Sequence, residues 1–218
     1  MPEQLLPYNP LDKMNLGGSV AAALIRRPVV PLPPEAGFSG AGIYAIYYLG
    51  PFPIYEPIRE RNAGGRFEQP IYVGKAVPPG ARKGERLGLG LPAGPALFNR
   101  LSQHARSIES VDALAVSDFH CRYLVVEDIW IPLGETLLIA RYRPLWNLVV
   151  EGFGNHDPGG GRSRQQCSRW DTLHPGRSWA AKLEPNQSPA EEIERLARDF
   201  LAGKEVPTIA PEDAAAEE

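Results

Sequence analysis

Cysteine is scarce in this 218-residue chain: Cys121 and Cys167 lie in different segments and form no CxxC pair. A disulfide framework and a cysteine-based zinc site are therefore not expected. No apolar run approaches the roughly 20 residues needed to span a bilayer. The first twelve residues lack a charged stretch followed by an apolar one, so no secretory signal is expected and a cytoplasmic location is the default. Excess charge is also small, with a formal net of -3.

That sum hides an uneven distribution. From Glu191 to Glu218 nine acids face three bases, a net of -6, which leaves +3 for the rest. Six bases and one acid lie between Lys75 and Arg106, and five bases and one acid between Arg162 and Lys182. Screening limits charge effects to about 10 Å at moderate salt, so such patches matter more to a polyanion than the total does. Glycine and proline are plentiful, at 22 and 23, which predicts many loops on a rigid scaffold. The length suits one domain, 1–218, with decorations.

Residues 1–39 form a Pro-rich extension, with a short helix expected over Ser19–Arg27 capped by Ser19. Gly42–Leu49 (GIYAIYYL) and Pro70–Ala76 (PIYVGKA) read as strands, being rich in aromatic and β-branched residues. Residues 50–69 must form an insertion between them, and residues 80–95 read as a Gly-rich basic loop. Ala96–Ser110 carries apolar residues at helical spacing. Phe119–Val126 is a third strand and Pro132–Tyr142 a helix with proline in its first turn. Residues 147–177 read as irregular. Ser188 to Glu191 has capping-box spacing ahead of a helix reaching about Ala202, and residues 204–218 read as a disordered acidic tail. The order predicts an α+β fold, a small three-stranded antiparallel sheet flanked by helices, with its core at about 40–150.

Few polar residues sit where chemistry could be done. Tyr44 and Tyr72 lie on the first two strands, and Lys75 follows Tyr72 by three. Arg100 and His104 are four apart on one helix and share a face. Glu135 opens the next helix, and Asn147 follows it. Each has an ordinary reading alone: tyrosines pack sheets, a helical Arg–His pair faces solvent, an acid near a helix start compensates the dipole, and Asn sits in turns. His120 reads as structural. His156 and His174 read as structural or DNA-facing, since their spacing matches no zinc pattern. Gly84–Gly94 lacks the Lys-Ser/Thr of a phosphate loop.

Taken together, Gly42-Ile43-Tyr44 and Tyr72-Val73-Gly74, followed by Lys75, Arg100, Glu135 and Asn147, resemble the signature of the GIY-YIG nucleases. The long gap between Tyr44 and Tyr72, the added His104, and the segments Gly152–Gly159 and Trp170–Arg177 resemble the branch of restriction enzymes that cut CCGCGG as homodimers. The resemblance implies a Mg²⁺-dependent (Mn²⁺ substituting) type II restriction endonuclease of the bacterial cytoplasm. Its partners would be double-stranded DNA and, in the same system, a cognate methyltransferase. It implies that Glu135 binds the metal, Arg100 opposes the phosphorane charge, and Tyr44 orients and deprotonates the water. A phenol of pKa near 10 is a poor base, so Lys75, His104 or the metal's water must favour its phenolate. Tyr72 would hold water or phosphate, His104 would accept the proton from Tyr44 or act as base itself, and Asn147 would fix the glutamate or the metal's water.

The residues at 151–203 are expected to read DNA before the C-terminal helix. Arg162, Arg164, Arg169 and Arg177 alternate with Ser and Gln, and arginine pairs bidentately with guanine. Arg82, Lys83 and Arg86 would touch phosphates, positioning without specifying. A structure-specific repair nuclease on the same core, and a non-catalytic DNA-binding protein on a decayed one, are the competing functions.

Overall fold

Seven buried residues in succession, GIYAIYY, make the strand at 42–48 the centre of the sheet. The computed structural model describes residues 9, 11–77, 94–157 and 165–210. Four strands pair antiparallel: β1 (Val30–Pro31), β2 (Gly42–Tyr48), β3 (Tyr72–Ala76) and β4 (Phe119–Val125), in the order β1-β4-β2-β3. The sheet has one strand more than expected, because the N-terminal extension lays Val30 and Pro31 beside Cys121 and His120. Pro31 is tolerated there because β1 is an edge, where a missing N–H breaks no ladder. Gly42 faces Leu124 of β4 so closely that a Cβ would lie 2.0 Å from the Leu124 carbonyl oxygen.

Around the sheet lie α1 (Lys13–Ile25), α2 (Glu56–Asn62), α3 (Ala96–Glu109), α4 (Ile131–Tyr142), the short α5 (Leu145–Leu148) and α6 (Arg169–Leu173), and α7 (Ala190–Leu201). The first helix starts earlier than the sequence predicts. Asp12, not Ser19, caps it, accepting from the Met14 N–H at 2.8 Å. Gly17 and Gly18 disfavour a helix locally. Packing overrides this, since a Cβ on Gly17 would lie 2.0 Å from Leu137 of α4. No helix among the described residues is long and apolar enough to cross a membrane.

The 50–69 insertion contains α2 and is tied down by buried Asn62. Its side chain donates to the carbonyls of Tyr48 and Gln69 and accepts from the Gln69 N–H. Both ends of the insertion are thus held, and β2 and β3 pair directly, Tyr44 opposite Gly74 and Ile46 opposite Tyr72. The 147–177 stretch is less irregular than expected, holding α5 and α6. Pro189, not Ser188, precedes α7, which buries Ile193, Leu196 and Ala197. Residues 204–210 are not the free tail expected: the Ile209 N–H donates to the Leu148 carbonyl, and Val206 and Ile209 pack on the core. Residues 211–218 lie outside the described residues.

One buried chain of polar groups joins the insertion to the C-terminal half. Trp146 Nε1 donates to the Tyr55 hydroxyl at 2.9 Å, leaving the Tyr55 proton for His174 Nε2 at 2.5 Å. Burial pushes His174 down to about 3. A histidine depressed in the folded state stabilises it above the unfolded value of 6.5, and that stability is lost as pH falls toward 3. The loss is on the order of 5 kcal/mol if His174 titrates alone. His174→Gln should flatten the decline in urea-unfolding stability between pH 7 and pH 4; an unchanged slope would mean that another group drives acid unfolding.

Candidate active site

Strand alternation puts Tyr44 and Tyr72 on one face of the sheet, with ring centroids 6.3 Å apart. Helix α3 covers that face, and Arg100 and His104, one turn apart, both point inward and are buried. The Tyr44 hydroxyl lies 2.6 Å from His104 Nε2. His104 also packs edge-on to Tyr72 and stacks on Phe153, centroids 4.5 Å apart and planes 19° apart. Its pKa lies well below 6.5, first because of burial and then because of the charges of Arg100, His156 and Arg177. The ring is therefore neutral. Its Nε2 accepts the Tyr44 proton, which assigns its own proton to Nδ1.

Both terminal nitrogens of Arg100 are held by one remote segment. Nη2 donates to the Gly154 carbonyl at 3.0 Å, and Nη1 contacts His156 Nε2. The sequence marks Gly152–Gly159 only by its resemblance to the restriction-enzyme branch and gives Phe153 and His156 no role beside Arg100 and His104, because GFGNH has no helical or strand periodicity. Only the fold closes this segment onto α3.

Lys75 and Glu135 approach from the other side. Lys75 pairs opposite Ile43, so its side chain emerges on the face opposite Tyr44 and Tyr72. Its Nζ donates to Glu135 Oε2 of α4 at 2.7 Å. The tyrosine pair and the Lys75–Glu135 pair therefore lie on opposite faces of the sheet, beside β3, an edge strand among the described residues. The two faces are within electrostatic reach, since Arg100 draws down the Glu135 pKa. Burial dominates over Lys75 and Arg100, and the carboxyl is pushed up to about 7. Glu135 Oε1 is buried and has no hydrogen-bond partner. An orphaned carboxylate oxygen beside a cation and an arginine fits a hard, oxygen-seeking metal ion. No group of three or more His, Cys, Asp or Glu able to hold a metal occurs among the described residues.

Asn147, expected to fix Glu135 or the metal's water, spends both ends of its amide on the backbone of Val73. Its Oδ1 accepts from the Val73 N–H at 2.9 Å and its Nδ2 donates to the Val73 carbonyl at 2.8 Å. The amide acts as a one-residue substitute strand on the free edge of β3, satisfying both backbone groups. Asn147→Ala leaves both buried groups unpaired, and roughly 1–3 kcal/mol of stability should be lost for each. Thermal unfolding checks this; an unchanged midpoint would show that β3 needs no brace.

Five of the expected DNA contacts, Arg82, Lys83, Arg86, Arg162 and Arg164, lie outside the described residues. Arg169 is partly committed, donating to the Val149 carbonyl at 3.1 Å with Glu151 3.7 Å away. Arg177 is not at the surface. It is 5% exposed and forms a two-point pair with Asp171. It has no face left to read a base, which corrects the expectation drawn from the basic run.

The family model described as the Eco29kI GIY-YIG domain matches residues 36–201. No curated protein matches the chain.

Proposed function

Because the chain belongs to the Eco29kI family of GIY-YIG restriction endonucleases, we propose that it cuts both strands of a GC-rich palindrome, CCGCGG, as a Mg²⁺-dependent homodimer. The observation that carries the chemistry is the Tyr44–His104 hydrogen bond beside Arg100, with an unpartnered oxygen of Glu135 across β3. A palindrome read by two equal subunits implies a two-fold axis with one site per strand. A methyltransferase of matching specificity would protect the host's own DNA in the bacterial cytoplasm.

Phosphodiester hydrolysis needs a deprotonated water, neutralisation of the phosphorane and relief of charge on the departing 3′ oxygen. Bound Mg²⁺ supplies Lewis acidity to a phosphate oxygen and to the leaving oxygen. Glu135 Oε1 would hold the ion, with Lys75 keeping Oε2 in place and favouring the ionised carboxylate. Tyr44 would orient the water and pass a proton to His104 Nε2, which is already aligned to receive it. Burial, and after it the positive neighbours, keeps His104 neutral and so free to accept that proton. Arg100 would oppose developing charge on the phosphorane with its planar donors, and Tyr72 would hydrogen-bond the water or phosphate. Asn147 acts one step away, by holding the strand that carries Tyr72 and Lys75. Arg162, Arg164 and Arg169 remain the candidates for contact with DNA, and Arg82, Lys83 and Arg86 for phosphates.

Digestion of unmethylated plasmid with Mg²⁺ or Mn²⁺, followed by sequencing of the termini, tests the proposal. Discrete fragments with CCGCGG at their ends are expected. Cutting confined to flaps or branched DNA would assign the core to repair instead, and a gel shift without cutting would leave only binding.

A further inference from the structure

Among the described residues, Arg177 is a heavily bonded buried charge outside the chemistry described above. Its Nε and Nη2 grip Asp171 at 2.6 and 2.7 Å. Its Nη2 also donates to the Gly152 carbonyl at 2.8 Å, and its Nη1 to the carbonyls of Phe153 and Asn155 at 3.2 Å each. Trp170 and Trp179 hold the guanidinium, their ring centroids 4.5 and 4.7 Å from Cζ. Asp171 is anchored in turn at the start of α6 by Ser168.

We propose that Arg177 is a positioning residue for cleavage: by gathering the backbone of residues 152–155 it fixes the contacts that aim Arg100 and the ring that covers His104. Three carbonyl oxygens from one short segment converge on a single point. Their dipoles repel one another unless a cation with planar, divergent donors sits among them, and lysine does not present that fork. The same segment sends the Gly154 carbonyl and His156 to the two ends of Arg100 and stacks Phe153 on His104. A buried ion pair is a poor way to gain stability alone, because desolvation offsets most of its attraction. Its geometric consequence at Arg100 and His104 is what an apolar replacement could not reproduce.

The inference rests on the reading of Arg100 as a catalytic group, and the experiment separates the two. Single-turnover cleavage with enzyme in excess reads the chemical step independently of the folded fraction, and duplex affinity is measured without metal. Arg177→Lys should slow the chemical step by about 10²-fold, the scale of a 1 Å misplacement, with duplex affinity little changed. His156→Ala, at an exposed position, should slow it also. The double variant should be no slower than the slower single one, because both act through Arg100. Wild-type rates in Arg177→Lys, or losses that multiply, would overturn the inference. If Arg177→Lys does not fold, Trp179→Ala replaces it in the same comparison; it removes one flanking ring and none of the hydrogen bonds. Arg100→Ala should be inactive. Full activity there overturns the site reading and this inference with it, whereas inactivity there with undiminished rates in the other variants overturns this inference alone.

Discussion

Glu135→Gln should cut duplex DNA roughly 10³-fold more slowly than the wild type, about 4 kcal/mol of lost transition-state stabilisation, and still bind it. Glutamine keeps the volume and one acceptor for Lys75. It withdraws the negative charge from a buried carboxylate that pairs with Lys75 through one oxygen and has no partner for the other. Binding should persist because a carboxylate buried behind the edge strand adds nothing to attraction for a polyanion. Filter binding without metal, set beside cleavage with Mg²⁺, tests both halves. Loss of both together would show that Glu135 is structural.

The same variant has a signature in stability. The folded carboxyl titrates at about 7, above its ordinary value of 4.5. A raised group contributes stability that is complete below 4.5 and lost as pH rises through about 7, here on the order of 3 kcal/mol. A cation on Oε1 would relieve that burden, and it competes with the proton below pH 7. Added Mg²⁺ should therefore raise the melting temperature more at pH 8 than at pH 6, and cleavage should fall as pH drops through 7. In Glu135→Gln both the alkaline loss and the response to Mg²⁺ should vanish. A variant still stabilised by Mg²⁺ to the same extent would place the cation elsewhere.

Tyr44→Phe is expected to be nearly as severe, at about 10²–10⁴-fold in the cleavage rate, the usual worth of a positioned acid–base group. The ring and its packing between Tyr72 and His104 survive, so the fold should persist. The loss leaves His104 Nε2 buried without its donor, at a cost of about 1–3 kcal/mol, visible as a modestly lower melting temperature. If the hydroxyl and the imidazole form one relay, Tyr44→Phe combined with His104→Ala should be no slower than the worse single variant. Multiplying losses would mean that they serve separate steps. Wild-type cleavage by Tyr44→Phe would remove the phenol from the chemistry altogether.

Much of this site is legible in the chain because its parts are local. A run of aromatic and β-branched residues makes β2 a strand wherever it packs. Arg100 and His104 share a face because they are four apart on a helix. Glu135 lies in the first half of α4, whose start the proline at 132 marks. The α+β class and the order of these elements follow from the same short-range rules, and the paired tyrosine motifs identify them as one nuclease core. Where the sequence misleads, a distant partner decides. Gly17 and Gly18 speak against a helix until Leu137 packs against Gly17. Val30 and Pro31 become a strand only beside Cys121 and His120. Asn147 has the ordinary composition of a turn until Val73 offers it an N–H and a carbonyl. Arg177 reads as a surface charge until Asp171 and three carbonyls enclose it.

The chain by itself thus determined the fold class and which elements carry the candidate residues, because propensity and periodicity act over a few neighbours. The tertiary structure alone decided that Tyr44 and the Lys75–Glu135 pair lie on opposite faces of the sheet beside an edge strand, and that Gly154 and His156 close on Arg100. Such contacts join positions tens of residues apart, and their formation depends on burial and shape across the whole core, which no local pattern encodes.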